Sequence, residues 1–287
     1  TEQGDIMPQA LQALHDLQAA GIEVIAVTGR PAGWSEPYAR QWPLRGIVAE
    51  NGAVALSQRD AGLRKDWLQD EAERQANREV LQTAAADVLS RLPQARLARD
   101  SAGRETDIAI DHAEFAHLDA ADIARVCAIL RGHGLSVTVS SIHINAWVGD
   151  HHKWIGACWA TQLWLNRDLD REIGHWVYVG DSANDEIMFQ HCTHSVAVAN
   201  IAPYWGQLRH FPRYVTVSQR KWSITGCRPS KRFFEKQVFA PDRASSGSNY
   251  VCSVTIPIDD PFVVSIPPPK GSTFFIWKPF FVGIFYQ

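Results

Sequence analysis

The stretch His175-Trp-Val-Tyr-Val-Gly-Asp-Ser-Ala-Asn-Asp-Glu-Ile-Met-Phe189 constrains this chain more than any other. An apolar run, Trp176 to Val179, ends at Gly180. Asp181 and Asp185 follow, with Ser182 and Asn184 between them, and Ile187, Met188 and Phe189 then resume an apolar pattern. The order reads as a buried strand, a tight turn and the start of a helix. In an open α/β sheet, ligands bind just past the carboxyl ends of strands. Two acidic side chains at such an end suggest a hard-cation site, and Mg²⁺ prefers a few carboxylates with waters and phosphate oxygens.

The rest of the chain supports an α/β reading in its first 218 residues. Leu11, Leu14 and Leu17 recur at helical spacing, and Gly21 stops that helix. Residues 22–27 form a strand that runs into Thr28-Gly-Arg-Pro31. A helix over 34–41 and a strand over 46–49 follow. Helix, strand, helix, strand implies a parallel sheet with crossover helices. The pattern then changes: a long polar helix over 69–92, a half-exposed strand over 106–111, a helix over 120–131, and strands over 135–139 and 142–148. This is an α+β unit inserted in the α/β domain. From Lys153 the α/β pattern returns. The expected division is core residues 1–60, inserted unit 61–150, core again 151–218, and a tail 219–287. In the tail alanine nearly vanishes, and proline and phenylalanine become dense. An irregular extension with strands at 250–256 and 261–266, and a stretch of non-native sequence, are both open readings of it.

Bulk properties exclude several classes. A chain of 287 residues can bury a large core. A formal net charge of −3 gives no basic footprint for nucleic acid. No apolar stretch reaches the roughly 18–20 residues of a membrane span. No secretory pattern opens the sequence, and the five cysteines include no CxxC pair. The expected setting is therefore a reducing cytoplasm.

Three short elements carry the candidate chemistry. At the end of the first strand, the Thr28 hydroxyl and the backbone around Gly29 offer an anion cradle, or else an ordinary turn with Thr as a cap. Lys153 opens a helix just after the inserted unit and is placed to neutralise a phosphate oxygen. Asp181 and Asp185 share one turn. Two close carboxylates resist joint ionisation unless a cation or a lysine compensates.

Together, Val27-Thr-Gly-Arg-Pro31, Lys153 and Val179-Gly-Asp-Ser-Ala-Asn-Asp185, in that order, resemble motifs two, three and four of the haloacid dehalogenase-like superfamily. The inserted unit resembles the C2-type cap of its IIB subfamily, which includes Cof-type and sucrose-phosphatase-like sugar phosphatases. Glu50-Asn-Gly-Ala53 is similar to that subfamily as well. The resemblance implies a Rossmann-like α/β core with a parallel sheet and an inserted α+β cap. It also implies a Mg²⁺-dependent phosphomonoester hydrolase acting on a small phosphorylated metabolite, a sugar phosphate. An aspartate would attack the phosphoryl group to form an aspartyl-phosphate, and a second aspartate two residues on would act as acid and base. By the same resemblance, Thr28, Gly29 and Lys153 bind phosphate, and Lys153 and Asp185 are catalytic. Asp181, Asn184 and Asp185 hold the metal. Arg104, Ser140, Ser141, His143 and Asn145 of the cap face the substrate. The family's Asp-x-Asp motif has no counterpart here. Its place is before Thr1, so the expectation is a chain without nucleophile or acid/base, inactive or serving only as a phosphate or metabolite binder. Its core sheet is expected to have a gap where that motif's strand belongs.

Overall fold

The computed structural model describes residues 8–215 and 281–285. The core sheet is built from β1 (Val24–Val27), β2 (Gly46–Ala49), β3 (Val54–Arg59), β4 (Gly62–Trp67), β9 (Trp176–Gly180), β10 (His194–Ala197), β11 (Tyr214–Val215) and β12 (Phe281–Phe285). Their spatial order is β11-β10-β9-β12-β1-β2-β3-β4. The pairs β1–β2, β9–β10 and β10–β11 are parallel. Helices α1 (Pro8–Ala19), α2 (Ala32–Gln41), α5 (Lys153–Leu165) and α6 (Glu186–His191) make up the α part of this core. β1 and β2 are buried along their whole length, as strands covered on both faces must be. Ile25 and Val27 pack with Trp154, Ala160, Trp164 and Tyr178, whereas Val24 and Ala26 pack with Leu14, Ala32 and Ala39. This alternation is the period-2 rule applied to a sheet with helices on each side.

The inserted unit is a four-stranded antiparallel sheet, β5 (Arg96–Leu97), β6 (Asp107–Asp111), β8 (His143–Trp147) and β7 (Ser136–Val139), in that order. Helices α3 (Glu71–Arg91) and α4 (Ala120–Gly132) join it in one apolar cluster that includes Leu81, Val88, Ile110, Val126, Leu130 and Ile144. Asp70 opens α3 with a capping box: its side chain takes the Glu73 amide and the Glu73 carboxylate takes the Asp70 amide.

Two sequence expectations need revision. Residues 62–67 were assigned to the insertion, yet they form β4, which pairs with β3 from Val54–Trp67 to Arg59–Gly62 at the edge of the core sheet. The Asp60-Ala61 turn closes a tight hairpin. The gap expected in the core sheet is filled. β12 lies between β1 and β9 and is antiparallel to both, with Val27 opposite Phe281, Ile25 opposite Gly283, and Val179 opposite Val282. The inner edges of β1 and β9 present backbone groups that must be paired when buried. An apolar five-residue run satisfies them. The strands expected at 250–256 and 261–266 lie outside the described residues.

Candidate active site

The site is assembled at the carboxyl ends of β1 and β9. Thr28 follows β1, and its amide continues the ladder to the Val48 carbonyl at 2.8 Å. Its hydroxyl oxygen accepts the Arg30 amide at 3.0 Å, and its carbonyl accepts the Asn51 amide at 3.0 Å. The Glu50–Gly52 turn is thereby tied to the end of β1. Glu50 and Asn51 are held in the left-handed region, with φ of 49° and 56°, a conformation that L residues adopt only where the surroundings hold them. Gly52 has φ 117° and meets the first turn of α5, where Gly156 faces it backbone to backbone. A side chain at either glycine would push α5 away. Lys153, the first residue of α5, is positioned by that contact.

Lys153 is buried, and its Nζ donates to Asp185 Oδ1 at 2.7 Å. Tyr178 OH donates to the same oxygen at 2.6 Å. The amides of Asp181 and Ser182 donate to Oδ2 at 2.9 and 3.0 Å. An ionised carboxylate has about four lone-pair sites, so these donors fill it. Gly180 permits this closure, because a Cβ there would sit 2.9 Å from the Asp185 side chain. Asn184 points its Oδ1 at the Ser182 hydroxyl at 2.6 Å. Among the described residues, no group of three or more His, Cys, Asp or Glu side chains is arranged to hold a metal ion. With Asp185 committed to Lys153 and Asn184 to Ser182, the described residues do not fit a Mg²⁺ site.

The N-terminus of α2, just past the Thr28–Gly29 turn, is already served. Glu50 is fully buried, and its carboxylate accepts the Ala32 amide in the first turn of α2 at 2.9 Å. It also accepts the Thr106 amide at 2.7 Å, the Thr106 hydroxyl at 2.6 Å, and the Glu105 amide at 3.0 Å. One core carboxylate thus caps a core helix and pins the inserted unit.

The cap meets the core over Gly29. The Gly29 carbonyl accepts Arg104 Nη1 at 3.2 Å and Asn145 Nδ2 at 3.4 Å. Arg104 also pairs with Asp107 at 2.8 Å and Asp100 at 3.3 Å. Arg30 reaches across to Asp100 at 3.0 Å and Glu114 at 3.2 Å, and Glu114 in turn meets His143 Nε2 at 2.8 Å. The hydrogen bond from His143 and the nearby Arg30 hold the Glu114 carboxyl down to about 2, against its burial. Burial pushes the Asp107 carboxyl up to about 7, with Arg104 opposing and Glu50 adding to the shift. Of the cap residues expected to face the substrate, Arg104 and Asn145 converge on the phosphate-loop backbone, and His143 joins through Glu114. Ser141 contacts Tyr204 of the core. Ser140 instead closes its own turn, accepting the His143 amide at 3.0 Å. Glu50, Asp107 and Tyr178 escaped the sequence reading as site residues. Tyr178 was visible only as a polar group on the Trp176–Val179 strand.

Residues 1–86 match the family model of haloacid dehalogenase-like hydrolases. That match spans the first 86 of 287 residues, and over them the chain is similar to this family. Solved structures agree on the fold. The sucrose-phosphatase of Synechocystis sp., solved with sucrose and phosphate, is 16% identical over 74% of this chain and 87% of its own, with a TM-score of 0.54. A protein of Thermoplasma acidophilum is 16% identical over 74% of this chain and 84% of its own, with a TM-score of 0.55. A haloacid dehalogenase-like hydrolase of B. subtilis is 16% identical over 75% and 90%, with a TM-score of 0.50. No curated protein matches the sequence. The mixed α/β core of sheet and helices matches the Rossmann-like fold of these structures. No helix among the described residues is long and apolar enough to cross a membrane.

Proposed function

We propose that this chain recognises the phosphate group of a small phosphorylated metabolite, a sugar phosphate, and does so without hydrolysing it. The observation that carries the reading is the convergence of the Thr28–Gly29 loop and the Lys153–Asp185 pair at one sheet edge, beside a central strand that has no carboxylate. The Thr28 hydroxyl and the Gly29 loop would receive phosphate oxygens, and Lys153 would neutralise their charge. Arg104, Asn145 and His143 lie where the rest of a metabolite would meet the cap. The sucrose and phosphate of the similar sucrose-phosphatase favour a sugar as that remainder. A cytoplasmic setting belongs to the same reading.

Hydrolysis by an aspartyl-phosphate route needs a carboxylate nucleophile between the Thr28 and Asp181 strands. The strand there, Phe281-Val-Gly-Ile-Phe285, has none. Haloacid dehalogenase-like phosphatases generally use Mg²⁺, but Asp185 of the turn is bound to Lys153, so no step is assigned to a metal here.

Two assays test this. p-Nitrophenyl phosphate, with and without Mg²⁺, should show no turnover above a Lys153→Ala control, and turnover would overturn the non-hydrolytic part. Calorimetry with glucose 6-phosphate should show binding that Thr28→Ala and Lys153→Ala each weaken at least tenfold. Binding indifferent to both would sink the cradle.

A further inference from the structure

We infer that Tyr178 is a positioning residue that holds the Asp185 carboxylate in place while Lys153 turns toward an anion. This deepens the phosphate-binding reading and rests on it. Lys153 and Tyr178 donate to the same oxygen, Asp185 Oδ1, at 2.7 and 2.6 Å. The other oxygen is secured by the Asp181 and Ser182 amides. The Ser182 hydroxyl, 3.3 Å from Oδ2, has its single proton better aimed at Asn184 Oδ1 at 2.6 Å.

Of these donors, the two amides are fixed by the turn and Tyr178 is fixed by complete burial in the apolar cluster with Phe189 and Ile25. Lys153 has the long, rotatable side chain and a charge that a phosphate would attract. If Lys153 leaves, Oδ1 keeps Tyr178 and Oδ2 keeps its amides, so no oxygen is stranded. Without Tyr178, the same movement would strip the buried Oδ1 of its last donor. A buried acceptor left bare is costly. Burial, reinforced by the neighbouring Asp185 charge, keeps the phenol protonated far above neutral pH, so it remains a donor. Tyr178 therefore lets Lys153 be lent to a ligand.

Two independent experiments test it on the full chain. The first uses no ligand and reads amide hydrogen exchange at Asp181 and Ser182, whose N–H groups report the seat of Asp185. Protection should survive in Lys153→Met and in Tyr178→Phe, and be lost in the double variant. Loss in Lys153→Met alone overturns the inference, as does retention in the double variant. The second reads binding of inorganic phosphate. Tyr178→Phe should weaken it about tenfold, and the same change in a Lys153→Met background should add nothing. An equal loss in both backgrounds would mark Tyr178 as structural only and overturn the inference. Wild-type protein that binds no phosphate, with the exchange pattern as expected, would refute the phosphate reading and leave the Tyr178 anchor standing. Tyr178→Phe preserves the ring, and a thermal melt shows whether each variant is folded.

Discussion

The buried Lys153–Asp185 pair makes an asymmetric prediction. Both side chains are almost wholly removed from solvent, at 2% and 0% exposure. Breaking such a pair usually costs about 3–5 kcal/mol, because a charge is left without compensation. The two ways of breaking it differ here. Asp185→Asn takes the Asp185 charge from the buried Lys153 ammonium and turns an amide group toward donors that need an acceptor. The full cost of about 3–5 kcal/mol is expected. Lys153→Met removes the ammonium, fills its volume with an unbranched chain, and leaves Asp185 with Tyr178 and two backbone amides. An acceptor that keeps three donors is not left bare, so about 1–2 kcal/mol is expected. At about 2–4 °C per kcal/mol for domains of this size, the melting points should separate by several degrees, with Asp185→Asn the lower. Urea unfolding followed by far-UV circular dichroism measures the difference, read from midpoints at constant slope. A Lys153→Met variant as unstable as Asp185→Asn, or more so, would refute the claim that Tyr178 and the turn amides sustain the carboxylate.

Three further outcomes follow from the geometry. Glu50→Gln should loosen the cap, because the amide nitrogen replaces one of two oxygens that together accept donors from Ala32, Glu105 and Thr106; limited proteolysis between residues 98 and 106 should speed up, and unchanged cleavage would contradict this. Gly156→Ala should prevent stable folding, since its Cβ would collide with the Gly52 backbone, whereas Gly174→Ala meets nothing within 4 Å and should melt like wild type. The third concerns pH. A carboxyl raised in the folded state binds its proton more tightly there than when unfolded, so the Asp107 contribution to stability is full below its ordinary value and declines as pH rises toward about 7. Denaturant midpoints measured from pH 4 to 8 should contain that decline in wild type and lack it in Asp107→Asn.

The sequence reading located most of the core because the signals there are local. The apolar run Val24–Val27 and the apolar run before Gly180 each mark a buried strand without reference to anything distant. The pairing of Lys153 with Asp185 was also within reach, since the motif order placed a lysine and a carboxylate at one sheet edge. What escaped depends on the third dimension. Glu50 looked like one more acidic turn residue, and its role follows from Ala32 and Thr106, which are far from it in sequence. Tyr178 read as a strand aromatic, because nothing in its neighbours says that the ring reaches under the turn to Asp185. β12 was hidden by a different cause. Its five residues sit in a proline- and phenylalanine-rich tail without periodicity, and only the paired edges of β1 and β9 show why a strand belongs there.

The central claim is recognition of a phosphorylated metabolite without turnover, and phosphorus NMR of glucose 6-phosphate mixed with the chain and Mg²⁺ tests both halves at once. The account predicts a sugar-phosphate signal broadened by the wild-type chain and not by Lys153→Ala, with no growth of inorganic phosphate over hours. Inorganic phosphate that accumulates in proportion to the chain, or a signal the wild type leaves unbroadened, would contradict it.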